Sequence, residues 1–134
     1  MEEYDDLSEG PNKDGKLNLS YNNWDEMPHE LFELYRSQLL GLSLSHNRIL
    51  QVSNQIGKLT LMRELDLSHN QIEKIDPAIG NLLRLRKLNL SNNALTALPT
   101  ELCNCQMMVC IGTEYARFFQ IYSIVQIYST CTGL

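Results

Sequence analysis

The sequence predicts an α/β solenoid, with short parallel β-strands on a concave face and helical, 3-10 or irregular segments on the convex side. The first observation is a six-residue string, L-x-L-S-x-N, that begins at Leu17, Leu42, Leu65 and Leu88, at spacings of 25, 23 and 23 residues. The second is that further Leu, Ile and Met residues continue at matching offsets in each copy. Such a period is typical of stacked repeats. The third is the composition, 43% apolar and 20% charged, which suffices for a packed core.

Each L-x-L segment is expected to be a strand. Side chains alternate along a strand, so both leucines point to one side and the intervening residue to the other. The Asn that ends each string lies where the chain leaves the strand, and its amide can bond backbone groups that the bend would otherwise leave unsatisfied. One unit cannot bury its own leucines, but stacked units share a core. The predicted asparagine ladder consists of Asn22, Asn47, Asn70 and Asn93.

The repeated pattern L-x-x-L-x-L-x-x-N-x-L resembles that of the leucine-rich repeat family and covers about residues 14–105. The unit length, with Leu98-Pro99 in the fourth copy and Met27-Pro28 in the first, is similar to the intracellular Ras-suppressor-type class. The second and third copies have Ser53 and Asp76 where that class has Pro. The resemblance implies a leucine-rich repeat solenoid whose concave face binds other proteins. The predicted repeats span residues 14–38, 39–61, 62–84 and 85–107.

Both ends of the chain depart from the repeat. Residues 1–13 are acidic and are predicted to be a flexible tail. For residues 106–134 three interpretations stay open: a degenerate fifth repeat with Ala116 in place of the ladder Asn, a C-terminal cap, or a non-repeat tail from splicing or truncation. Within it, Phe118–Tyr128 is apolar and uncharged. An uncovered run of this kind favours self-association.

The charge distribution excludes some classes of partner. The net charge is −5, from 11 basic and 16 acidic residues, and five of the acids lie in residues 1–10, so the rest of the chain is balanced. Without a basic excess, we expect no nucleic-acid binding. There is no apolar run long enough to span a membrane and no basic, apolar signal segment at the start. The four cysteines cluster in the last third of the chain and cannot form a framework for the whole fold, so we expect a cytoplasmic protein.

The outward-facing strand residues are the candidate partner-binding site. An identical Ser in each repeat is interpreted as structural (Ser20, Ser45, Ser68 and Ser91). The remaining columns vary and form a polar patch of mixed charge. The predicted site residues are Lys16, Asn18, Tyr21, Ser43, His46, Glu64, Asp66, His69, Lys87, Asn89 and Asn92.

No motif indicates catalysis or a cofactor. His46 and His69 share a column beside Asp66, but a metal site needs three or four converging ligands, so we interpret them as exposed, titrating histidines. The cysteine spacing matches no zinc module, and the cysteines are expected to be inert thiols. No phosphate loop, nucleophile elbow or metalloprotease motif occurs. Trp24 replaces a core Leu and is expected to be a buried cap, with an interface anchor as the alternative.

The sequence therefore predicts a non-catalytic protein-interaction module or adaptor, without cofactor or metal. The resemblance implies a partner among signalling proteins, although no residue selects one. Two alternatives stay open. One is a regulatory or structural subunit that docks through Phe118–Tyr128, and the other is a truncated isoform without independent function.

Overall fold

The computed structural model describes residues 5–108 and 110–112, with side chains from Leu7 to Met108. Its main element is a parallel sheet of five strands in the order β1-β2-β4-β6-β7. Their bounds are Lys16–Asn18 (β1), Gly41–Ser43 (β2), Glu64–Asp66 (β4), Lys87–Asn89 (β6) and Cys110–Gly112 (β7). A smaller parallel pair is formed by Gln51–Val52 (β3) and Lys74–Ile75 (β5).

The register of the sheet follows the sequence period. Leu17 pairs with Leu42, Leu42 with Leu65, and Leu65 with Leu88, so each repeat contributes one strand and the next copy lies directly beside it. Because the same residue type faces the same side in every strand, the leucines stack in continuous columns. The predicted α/β solenoid is confirmed.

The core lies between the sheet and the convex side. Its most deeply buried members are the leucine that directly follows each strand and the apolar residues of the convex coil, all completely excluded from solvent. They include Leu19, Leu44, Leu67, Leu90, Ile49, Ile72, Ile56, Ile79, Leu59 and Leu82. The core is therefore linear, and each coil covers the leucines of the next.

Short 3-10 helices form the convex side of the later repeats, at Asn54–Lys58, Pro77–Asn81 and Thr100–Asn104. Ser53 and Asp76 precede the first two helices, and their side-chain oxygens accept bonds from the backbone N–H of Gln55 and Ala78, at 3.3 and 2.9 Å. These two departures from proline are thus helix caps. The first repeat has instead a short α-helix, Glu30–Leu34 (α2).

The start of the chain differs from the predicted flexible tail. Residues Asp5–Glu9 form a helix, α1, and Leu7 is buried in the core cluster. The Tyr35 hydroxyl donates a hydrogen bond to the Leu7 carbonyl, and the Asn12 side chain accepts bonds from the backbone N–H groups of Asp14 and Lys16. This segment therefore packs on the first repeat and adds Leu7 to its core.

At the other end, β7 continues the sheet by one more 23-residue step, with Ile111 beside Leu88 and Gly112 beside Asn89. The rest of the predicted fifth turn and the apolar segment Phe118–Tyr128 lie outside the described residues, so the interpretations of residues 106–134 stay predictions. No helix in the described part of the chain is long and apolar enough to cross a membrane.

Candidate protein-binding site on the concave face

The asparagine ladder forms the edge of the concave face. Asn47, Asn70 and Asn93 are buried, and each amide Nδ2 donates to carbonyls of its own and the preceding repeat. Each Oδ1 accepts a backbone N–H from the preceding repeat, that of Trp24, Ile49 and Ile72 respectively, at 2.9 to 3.1 Å. The ladder thus ties each turn to its neighbour and is structural.

The serine column is also structural, and it involves three predicted site residues. Ser68 Oγ donates to Asp66 Oδ1 at 2.6 Å, and Ser68 N–H donates to the same oxygen at 2.9 Å. Equivalent bonds join Ser20 to Asn18 and Ser91 to Asn89. In each case one Oδ1 accepts both bonds within its own strand end. Asn18, Asp66 and Asn89 therefore shape the face as well as lining it.

Charged side chains concentrate at the first residue of strands β1, β2, β4 and β6, a column made up of Lys16, Gly41, Glu64 and Lys87. Lys16 Nζ lies 3.9 Å from Glu64 Oε1 although β2 runs between their strands. The gap is bridged because Gly41 has no side chain; a Cβ there would lie 3.1 Å from Lys16 Cγ. Lys87 is next to Glu64 in the register and is exposed. The column forms part of an open groove of about 630 Å³ whose walls also include Asn12, Ser43 and the strand residues named above.

The residue that directly precedes the ladder asparagine in each repeat belongs to a stack of planar side chains: Tyr21, His46, His69 and Asn92. The rings of Tyr21 and His46 are 4.4 Å apart, those of His46 and His69 are 4.2 Å apart, and both pairs are within 9° of parallel. Asn92 extends the stack, with Nδ2 3.3 Å from His69 Nε2. All four residues have φ between 56° and 63°. That left-handed conformation is costly for bulky side chains, and ring stacking offsets part of the cost.

The stack is poorly arranged for a metal ion. The imidazole nitrogen lone pairs lie in the ring planes, and these two planes are stacked and nearly parallel, so the lone pairs do not converge on one ion about 2.1 Å from each nitrogen. No group of three or more metal-ligating side chains occurs within the described residues. His46 and His69 share one column, as predicted, and their partly exposed rings stack on each other.

Two further predictions concern buried residues. Trp24 is only 8% exposed and belongs to the core cluster, as expected of a cap residue, and its Nε1 is buried without a hydrogen-bond partner. Cys105 is buried in a repeat core position, and burial raises the pKa of its thiol to about 11, so it stays protonated at neutral pH. Cys103, in contrast, is disulfide-bonded, and the prediction of an inert thiol is wrong there.

Sequence reasoning missed Arg63 and Arg86, which precede β4 and β6 and are exposed at the lip of the groove. They are 23 residues apart, and that periodicity was the available signal. The role of Gly41 was also missed, because it depends on where the Lys16 side chain lies.

The fold and the site define a class of protein: a parallel-strand solenoid with an internal asparagine ladder and an open polar concave face. Family models agree. A model described as leucine rich repeat matches residues 15–72, and one described as leucine rich repeats in two copies matches residues 60–104. The chain belongs to the leucine-rich repeat family. No curated protein sequence matches it significantly.

Solved structures show the same fold. A leucine-rich repeat protein from Bacteroides eggerthii is 26% identical with a TM-score of 0.69, over 77% of this chain and 18% of that one. A leucine-rich repeat protein of Leptospira interrogans is 26% identical with a TM-score of 0.60, over 73% and 30%. An internalin from Listeria monocytogenes is 23% identical with a TM-score of 0.63, over 76% and 29%. This chain thus spans less than a third of each of these proteins.

Proposed function

We propose that the protein is a non-catalytic interaction module whose concave face binds a protein partner. The observation that carries the proposal is the continuous sheet from β1 to β6, whose outward side chains line one open groove. Repeat families commonly mediate protein–protein interaction through such extended concave surfaces. Within the part of the chain that the structure describes, this polar groove is open to solvent, which favours a binding surface over an enclosed catalytic site.

The stacked column supports the same proposal. Tyr21 is 72% exposed although its backbone is left-handed, a conformation for which Asn or Gly costs less. A large exposed aromatic ring kept at such a position is typical of an interface anchor, since Tyr is enriched among residues that contribute most to binding. The adaptor role and a signalling partner are finer proposals that depend on the family resemblance alone.

A capture experiment with a matched control tests the proposal. The test variant replaces Lys16, Glu64, Asp66 and Lys87 by Ala on the concave face. The control variant replaces Lys58, Glu33, Glu73 and Lys74 by Ala. These four residues do not line the groove, and their replacement removes two positive and two negative charges, as in the test variant. A captured protein is identified, purified and titrated against all three chains. The proposal expects loss of binding in the concave variant only, and equal affinity for both variants would contradict it.

The alternative, a subunit that docks through Phe118–Tyr128, makes a different prediction. Deleting residues 113–134 would then abolish binding of the same purified partner while the concave variant binds normally.

A cytoplasmic location is likewise a proposal, supported by the confinement of cysteines to the last third of the chain. The disulfide at Cys103 speaks against it, because persistent disulfides are rare in reducing compartments. Thiol labelling of the protein in cells shows whether Cys103 is reduced or oxidised, and so decides between a cytoplasmic location and an oxidising compartment.

A further inference from the structure

A cluster of basic side chains lies at the lip of the concave groove, and we call it the basic rim: Arg63, Arg86 and Lys87. All three side chains are exposed. Arg63 and Arg86 are adjacent across the sheet, because the Arg86 N–H donates to the Arg63 carbonyl at 2.8 Å. Neighbouring parallel strands are about 4.8 Å apart, so both guanidinium groups can reach one anion.

The rim is not neutralised within the described part of the chain. No carboxylate there lies within 4.0 Å of Arg63, Arg86 or Lys87, since the ion pairs join other residues. The nearest acid in the register, Glu64, is engaged instead by Lys16. The absence of a side chain at Gly41 permits that pairing, so it indirectly leaves the rim cations available.

The rim lines a recess of about 210 Å³ that adjoins the groove, since Lys16, Glu64 and Lys87 contribute to the walls of both. Four cations and two carboxylates surround the recess, so it is basic although the chain as a whole has a net charge of −5. Two adjacent arginines suit a carboxylate, which accepts paired N–H bonds from a guanidinium group. Three exposed cations are too few to follow a nucleic-acid backbone.

We infer that the basic rim binds an acidic segment of the protein partner, with an Asp or Glu carboxylate between Arg63 and Arg86. The inference rests on the proposed function and adds the chemistry of the partner. The remainder of that segment would run into the polar groove. Complementary charge at a rim mainly speeds association and selects the partner.

The probe is a fluorescently labelled hexaglutamate peptide, titrated with the full chain and followed by anisotropy. The test variant is R63Q/R86Q. The control is R48Q/R84Q, which removes the same charge from exposed arginines that do not line the recess. We expect the rim variant to bind about fivefold more weakly, the control to bind within twofold of wild type, and wild-type affinity to fall as salt is raised.

Several outcomes would overturn the inference. One is equal affinity of wild type and the rim variant for hexaglutamate, and another is equal weakening in both variants. A dimer of the chain alone that R63Q/R86Q dissociates would assign the rim to the acidic residues 2–9 of a second copy. If the purified partner still binds R63Q/R86Q normally but fails to bind the concave alanine variant, the rim inference fails and the proposed function stands.

Discussion

The asparagine ladder allows a stability change to be worked out bond by bond. In the variant Asn70→Leu a side chain of similar size replaces the amide. Asn70 Nδ2 donates to the carbonyls of Leu44, Leu67 and Ser68 at 3.0 to 3.1 Å, and its Oδ1 accepts the Ile49 N–H at 3.0 Å. The residue is only 8% exposed, so water does not readily replace these bonds.

The four lost bonds are not equal. The Leu44 carbonyl keeps the Asn47 amide, the Leu67 carbonyl keeps the Asn93 amide, and the Ser68 carbonyl keeps a backbone N–H. Only the Ile49 N–H loses its acceptor altogether. One buried, unsatisfied N–H costs about 1–3 kcal/mol and each of the three weakened acceptors a fraction of about 1 kcal/mol, so we expect a total loss of about 2–4 kcal/mol. That is a large part of the 5–15 kcal/mol typical of a domain.

The same ladder provides the control. Asn22, at the start of the ladder, donates one Nδ2 bond to the Leu19 carbonyl, which also accepts from Asn47, and no described residue donates to its Oδ1. Asn22→Leu is therefore expected to cost below about 1 kcal/mol. Urea unfolding followed by circular dichroism measures both. Equal losses of unfolding free energy in the two variants would refute the bond-by-bond reasoning.

Three other changes follow from the packing and the thiol pKa. Leu67→Ala empties a fully buried site and is expected to cost about 2–5 kcal/mol by urea unfolding, whereas a loss below 1 kcal/mol would mean that the coils collapse into the space. Gly80→Ala would place a Cβ 2.6 Å from a backbone carbonyl oxygen of the next coil, and we expect it to lower the free energy of unfolding by about 1–3 kcal/mol. Gly57→Ala is expected to cost less, because the atom nearest to its Cβ would be a side-chain amide. A larger loss for Gly57→Ala than for Gly80→Ala would contradict this packing. Because burial raises the pKa of the Cys105 thiol from 9.0 to about 11, the unfolded chain loses this proton first above pH 9, and stability falls as pH rises towards 11, by on the order of 2 kcal/mol. Cys105→Ala should show less of this loss between pH 8 and 10.5, and an unchanged pH dependence would assign it to other groups.

The periodicity was sufficient to predict the fold because one residue type, repeated at one offset, has the same physical environment in every coil. Leu67 and Asn70 occupy the predicted core and ladder positions for that reason. The start of the chain was harder to predict. Its acidic composition suggested a flexible tail, but Leu7 is buried against the open end of the first repeat, a contact that no pattern in ten residues reveals.

The site divides in the same way. The sequence by itself determined which residues face the concave side, since strand alternation and a regular register decide that without further information. Only the tertiary structure decided how those side chains interact. Lys16 reaches Glu64 across Gly41, His46 stacks on His69, and Asp66 Oδ1 accepts two hydrogen bonds at the end of its own strand. Each depends on distances between side chains from different coils. Such distances follow from the curvature and packing of the whole array and not from any single repeat.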